Sequence, residues 1–256
     1  MAAPTNHFKA ALRAGRPQIG LWVALANSMS AELVAGAGFD FLVIDGEHGP
    51  NDIPLIMTQL QGVAAAPGQT QAIVRPPVGE THLIKQVLDI GAQTVLVPIV
   101  ETVEQTQMLV QAMRYPPEGV RGVATLTRAA HFGQAKDYLR TANDEVCLLV
   151  QVETKRGLDN LDAIAAVEGV DGVFIGPSDL AAALGHLGDP MHPDVVAVIE
   201  DAMTHIAKAG KAPGILMANE PLARRCLELG ALFVAVGSDA VLLAQGAQAL
   251  AAKYKG

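Results

Sequence analysis

Val146-Cys-Leu-Leu-Val-Gln-Val-Glu153 and Gly172-Val-Phe-Ile-Gly-Pro-Ser-Asp179 are two apolar runs, each closed by an acid and separated by one helix-sized segment. A continuous run of β-branched and apolar residues reads as a strand buried on both faces. An acid at its C-terminal end has therefore left the core and reached the mouth of the fold. With residues 155 to 167 as the crossover helix, the two acids are expected on neighbouring parallel strands, about 5 Å apart at the backbone. Similar runs occur at 19–25, 41–47, 71–76, 94–100, 213–217 and 232–238, with helical periodicity between them. A weak internal repeat accompanies them: Gly38-Phe39-Asp40, Gly91-Ala92-Gln93, Gly169-Val170-Asp171 and Gly230-Ala231-Leu232 each precede a strand run. A glycine in that place ends a helix. Eight alternating units predict an α/β fold, a (β/α)₈ TIM barrel forming a single domain over residues 1–256. A doubly wound sheet is the alternative, but no glycine-rich dinucleotide turn follows the first strand run.

The bulk properties agree. Half of the 256 residues are hydrophobic, enough for a large core, and only 17% are charged. Acids outnumber Lys and Arg by 26 to 18, and no basic cluster interleaves with aromatics, so nucleic acid is not an expected partner. No uninterrupted apolar run is long enough to span a membrane. The two cysteines, Cys147 and Cys226, lack metal or redox spacing and read as buried thiols, which favours the reducing cytoplasm.

In a barrel of this type, chemistry sits at the C-terminal ends of the strands. Those ends hold Trp22, Asp45 with Glu47 and His48, Arg75, Gln151 with Glu153, Ser178 with Asp179, and Leu216. Glu153 and Asp179 are hard oxygen ligands suited to Mg²⁺ or Mn²⁺, with Co²⁺ or Zn²⁺ as further options; acids as helix N-caps are the plainer alternative for Asp179. Arg75, followed by two prolines, could meet a developing enolate oxygen. His48 could relay a proton, with Asp45 three residues earlier close enough to orient the imidazole. Glu47 reads as a support for the site, a third ligand or a structural ion pair. None of the lysines, at 9, 85, 136, 155, 208, 211, 253 and 255, ends a strand run, so imine chemistry is not expected. Phosphorylated substrates are disfavoured because Asp239 follows the last strand run, where a barrel would bind phosphate.

Phe41-Leu-Val-Ile-Asp-Gly-Glu-His-Gly49, Val74-Arg-Pro76, Arg114-Tyr-Pro-Pro117 with Arg121-Gly122, Gln151-Val-Glu153 and Phe174-Ile-Gly-Pro-Ser-Asp-Leu180 together resemble the metal-dependent (class II) pyruvate aldolases. That family is typified by 4-hydroxy-2-oxoheptanedioate aldolase and related to 2-keto-3-deoxyglucarate aldolase. The resemblance implies Glu153 and Asp179 as metal ligands, Gln151 near the bound oxo acid, and Arg75 on the enolate oxygen. It also implies Asp45 with His48 as a proton-handling dyad, and the Ser178 and Asp179 amides on the pyruvate carboxylate. Trp22, Phe174 and Leu216 would line the acceptor side, although barrel packing alone would also place them inside.

The implied reaction is reversible cleavage of a 4-hydroxy-2-oxo acid to pyruvate and a small aldehyde, as with 4-hydroxy-2-oxoheptanedioate giving succinic semialdehyde in aromatic-compound catabolism. A sugar-acid aldolase of the same mechanism and a non-catalytic oxo-acid-binding barrel are the alternatives. The apolar last helix, from Asp239 onward, suggests a homo-oligomer. The resemblance implies a hexamer with that helix exchanged between subunits. Residues 114–145 are far longer than an ordinary connection and are expected either to cover their own barrel or to complete a neighbour's site.

Overall fold

The computed structural model describes residues 1–255 and shows eight parallel strands in a closed barrel. They are β1 (Gln18–Val23), β2 (Phe41–Asp45), β3 (Gln71–Arg75), β4 (Thr94–Val97), β5 (Cys147–Val152), β6 (Gly172–Ile175), β7 (Ala212–Leu216) and β8 (Phe233–Ser238). Every expected run overlaps one strand, β1 and β7 each beginning one residue before it. Several strands stop short of their apolar run, β2 before Gly46 and β4 before Pro98, because the chain there leaves the ladder to build the mouth. Each strand pairs with the next, and β8 closes onto β1 through Gln18 opposite Phe233.

Local chemistry starts and stops the helices between strands. The side chains of Asn27, Asp52, Thr102, Thr154 and Asn219 each accept a hydrogen bond from a first-turn N–H. The four repeat glycines, Gly38, Gly91, Gly169 and Gly230, have φ of 97, 105, 97 and 101°, the left-handed geometry that ends a helix without a Cβ clash. They precede β2, β4, β6 and β8.

Strand alternation divides the core in two. One set of side chains packs between strands and helices; the other, including Val43, Ile73, Leu96, Cys147, Leu149, Phe174 and Phe233, fills the barrel. The helix His7–Arg13 inserts Phe8 into this interior, edge-on to Phe41 and Phe233 at 5.4 and 6.0 Å between ring centroids. The floor is thus closed by aromatics. Asp45, Arg75 and Gln151 continue the inward alternation one step higher, so the interior turns polar only at the mouth.

Asp239 is buried, and its carboxylate accepts from the backbone N–H groups of Ala24 and Leu25, tying the end of β1 to β8. The helix it opens, Asp239–Lys255, projects Val241, Leu242, Leu243 and Leu250 into solvent. Residues 114–145 lie against the floor side of the barrel: Arg121 bonds Asp89, and Arg128 donates to the carbonyl of Ile90, both at the end of the helix Thr81–Asp89. Val120, Val123, Leu126 and Phe132 of this segment are exposed. Among the described residues, no helix is long and apolar enough to cross a membrane.

Candidate active site

A cavity of about 440 Å³ opens at the C-terminal end of the barrel, lined by Trp22, His48, Arg75, Gln151, Phe174, Ser178, Asp179 and Leu216 among others. Glu153 borders it from the end of β5 and is only 3% exposed. The structure therefore brings the residues singled out in the sequence to one mouth, though not always in the expected contacts.

Arg75 ends β3 directly opposite Asp45, which ends β2. Its Nε and Nη2 donate to Asp45 Oδ1 and Oδ2 at 2.9 and 2.7 Å, a bidentate pair, and Nη1 lies 2.6 Å from Glu47 Oε2. The guanidinium also stacks 5.0 Å from the centre of the Trp22 ring, whose Nε1 donates to Asp45 Oδ2. Burial by itself would raise the Asp45 carboxyl, but Arg75, the Glu47 amide and Trp22 outweigh it and hold the group below its usual range. Glu47 goes the other way, raised by burial despite the attraction of Arg75.

This geometry corrects the expected dyad. Asp45 receives the backbone N–H groups of Glu47 and His48, at 3.0 and 3.3 Å, but its carboxylate oxygens are otherwise taken by Arg75 and Trp22. The His48 side chain is 67% exposed, and its Nε2 lies 3.9 Å from Glu47 Oε2. The chain turns at Gly46, where a Cβ would press on the Arg75 carbonyl, and this turn carries the imidazole outward to the rim.

Glu153 is held by the Ile99 amide, which donates to Oε1 at 3.0 Å, and by Gln151 Nε2, which donates to Oε2 at 2.5 Å. Burial pushes its carboxyl up to about 7; these two hydrogen bonds oppose the rise, while the nearby Asp179 and Glu47 carboxylates add to it. Gln151 Oε1 is buried without a partner. An acceptor-rich cluster with an orphaned oxygen and a carboxyl burdened by neighbouring acids is what a divalent cation would relieve, so the residues fit such an ion. Gly176 is required here, because any Cβ would collide with the Glu153 carboxylate.

Asp179 departs from the strand-end position expected for it. It lies in the first turn of the helix Pro177–Leu184, after β6 has ended at Ile175. Pro177 starts that helix and Gly176 caps it with no side-chain hydrogen bond, so the first-turn amides of Ser178 and Asp179, two residues that line the cavity, have no intrahelical partner.

Five contributing residues were not anticipated. Ile99 adopts φ of 53°, a strained conformation for a β-branched residue that costs on the order of 1–3 kcal/mol, and it aims its amide at Glu153. Nothing in a short apolar run signals it. Pro190 and Met191 reach the cavity wall from the loop after the helix Pro177–Leu184, and Met217 and Asn219 reach it from the end of β7. Only Asn219, preceding a Glu-Pro helix start, carries a sequence signal, and that signal is for capping.

Comparison with known proteins follows the same outline. A family model described as HpcH/HpaI aldolase/citrate lyase matches residues 18–246. The chain is 60% identical to a 4-hydroxy-2-oxo-heptane-1,7-dioate aldolase of Klebsiella pneumoniae, across 97% of this chain and 94% of the relative. It is 63% identical to a hydroxypyruvate/pyruvate aldolase of Deinococcus radiodurans, across 98% of this chain and 90% of that one. A crystal structure of an HpcH/HpaI aldolase/citrate lyase family protein from Burkholderia cenocepacia superposes with a TM-score of 0.95 at 41% identity, covering 98% of this chain and all of the other. Since the likeness runs from β1 into the last helix and takes in every wall of the mouth, the chain belongs to the HpcH/HpaI aldolase/citrate lyase family.

Proposed function

We propose that this chain is a metal-dependent aldolase that reversibly cleaves a 4-hydroxy-2-oxo acid to pyruvate and an aldehyde. The observation that supports it best is the opposition, across one cavity, of an acid cluster at Glu153 and Asp179 and a guanidinium at Arg75 that is rigidly held yet not exhausted. Lewis-acid polarisation of the keto group is the chemistry that a divalent cation bound by Glu153 and Asp179 would supply. Arg75 has five N–H donors, of which two bond Asp45, while Nη1 forms a close ion pair with Glu47. One N–H remains on each Nη to meet the oxygen that gains charge as the methyl proton leaves. The unpaired Ser178 and Asp179 amides suit the oxo acid's carboxylate. His48, at the solvent rim beside Glu47, is placed to exchange a proton with the hydroxyl at the new carbon–carbon bond. Asp45 acts on this proposal by positioning Arg75. A cytoplasmic setting fits the two buried, unpaired thiols.

Two relatives of similar identity have different names, and the cavity wall bears on the choice. The acceptor side, Trp22, Phe174, Met191, Leu216 and Met217, is apolar, and among the described lining residues Arg75 is the one cation. This favours a second reading, in which short uncharged aldehydes compete well with succinic semialdehyde. Condensing pyruvate with a panel of charged and neutral aldehydes, in the presence of Mg²⁺, Mn²⁺, Co²⁺ or Zn²⁺ and then a chelator, tests both. No metal-dependent aldol product and no exchange of pyruvate methyl protons would remove the aldolase reading.

Cation binding should release a proton. Glu153 titrates near 7 and must be ionised to ligate, so below that pH the ion displaces a proton and above it does not. Apparent affinity is expected to fall by up to ~10-fold per pH unit below about 7 and to level off above it. Calorimetric titration at pH 6 in buffers of unequal ionisation enthalpy measures the release directly; buffer-independent heats would contradict it. Imine chemistry is a separate matter: among the described residues no lysine lines the cavity. Borohydride with pyruvate is expected to leave the mass of the chain unchanged, and a pyruvyl-lysine adduct accompanied by lost activity would refute the metal route.

The exposed leucines of the last helix and the apolar tip of residues 114–145 are best explained by further copies of the chain covering them. A homo-oligomer, with a hexamer as the specific expectation, should be seen by light scattering at micromolar concentration; a monomer would remove the idea.

A further inference from the structure

We infer a second metal site, for a transition metal such as Zn²⁺, formed at the rim of the mouth by His186, His192 and Asp194. His186 follows the helix Pro177–Leu184, while His192 and Asp194 open the helix Pro193–Lys208. One ligand atom from each side chain falls within 4.8 Å of the others. His186 Nε2 and His192 Nδ1 face the same oxygen, Asp194 Oδ2, at 3.5 and 3.7 Å. Two ligands on a tetrahedral Zn²⁺ with bonds of ~2.0–2.1 Å stand ~3.4 Å apart, so both spacings need only a small contraction.

The imidazole rings are stacked, with centroids 3.6 Å apart and planes inclined by 15°. Parallel rings aim their lone pairs side by side, so ligation requires one ring to turn; both are partly open to solvent and Asp194 is exposed, which leaves room. His192 Nδ1 accepts a long 3.3 Å bond from the Asp194 amide, so it is the unprotonated nitrogen with the ring proton on Nε2, and ligation would exchange this weak cap bond for the metal. Two imidazoles and one carboxylate select Zn²⁺, Ni²⁺ or Cu²⁺ over Mg²⁺, the reverse of the preference at Glu153 and Asp179. The intervening loop supplies Pro190 and Met191 to the cavity wall. An ion joining His186 to the start of the next helix ties down both ends of that loop, fixing the wall that an aldehyde acceptor meets. The site stands independently of the aldolase reading.

The test is Zn²⁺ equilibrium dialysis on full-length protein carrying Glu153→Gln and Asp179→Asn, which removes the carboxylate pair at the mouth. About one Zn²⁺ per chain should remain, and adding His186→Gln or Asp194→Asn should each weaken it by more than ~10-fold. His192 is left in place because it caps its helix. With Cu²⁺ as the probe, electron paramagnetic resonance should show coupling to two imidazole nitrogens. No retained Zn²⁺, or retained Zn²⁺ indifferent to both substitutions, overturns the rim site. If the carboxylate variant binds as many ions as the unmodified chain, with one of them still sensitive to His186→Gln, the rim site stands and the mouth assignment falls.

Discussion

Metal-dependent cleavage should disappear in a Glu153→Gln, Asp179→Asn double variant whose barrel remains intact. Both substitutions preserve size, and both remove an anionic oxygen that a divalent cation needs. The structure explains why the fold should tolerate them. Glu153 is buried with a carboxyl that titrates at about 7, so much of it is already neutral near physiological pH. A neutral amide in its place relieves desolvation and keeps an oxygen for the Ile99 amide. The new NH₂ would face Gln151 Nε2, but Gln151 can turn its amide over, since its own Oε1 has no partner. Asp179 is exposed in the first turn of its helix, where losing a charge costs about 0.3–1 kcal/mol. Pyruvate release at saturating Mg²⁺ or Mn²⁺, read with the thermal midpoint, checks both halves. Cleavage near the unmodified rate would rule these ligands out; loss of activity with unfolding would leave Asp179→Asn alone as the variant that decides, because Asp179 is exposed.

The barrel was legible because a strand buried on both faces has a distinct vocabulary, and because left-handed glycines at Gly38, Gly91, Gly169 and Gly230 punctuate alternate units. The mouth was legible as a set of residues for a related reason: polar side chains ending apolar runs have few other places to go. Their partners were less readable, since pairing depends on register between strands and on the turn beyond each strand. Asp45 and Arg75 lie directly opposite one another on β2 and β3, a relation thirty residues apart in the chain that only the closed ladder reveals. Asp45 and His48, three residues apart, invited the wrong pairing because the turn at Gly46 separates their side chains. Asp179 was placed one element too early, although Pro177 at a helix start was the available sign. Ile99 could not have been found: its role rests on its amide and on a backbone conformation its residue type disfavours. The expected exchange of the last helix concerns a second copy of the chain; within one subunit the structure shows only that Leu242, Leu243 and Leu250 of that helix are exposed.

Arg75→Lys should lower kcat by ~10²- to 10³-fold, the usual effect of removing one donor to a developing oxyanion. The positive charge survives, but the planar fork does not. One ammonium cannot bond both oxygens of Asp45, reach Glu47 and still present two N–H groups to substrate. Because Asp45 is 2% exposed, the donors it loses are not replaced by water, and about 1–3 kcal/mol of stability should go with them. The two effects separate by temperature: assayed well below its own unfolding midpoint, the variant should still be slow, and added metal should not restore it. Guanidinium supplied in solution should partly rescue Arg75→Ala, which leaves a space of the right shape between Asp45, Glu47 and Trp22, and should do nothing for the carboxylate double variant. A kcat for Arg75→Lys within ~3-fold of the unmodified enzyme, a barrier change below ~1 kcal/mol, would mean that the guanidinium only braces Asp45 and Trp22. Charge stabilisation at the reacting oxygen would then fall to the Ser178 and Asp179 amides and the cation.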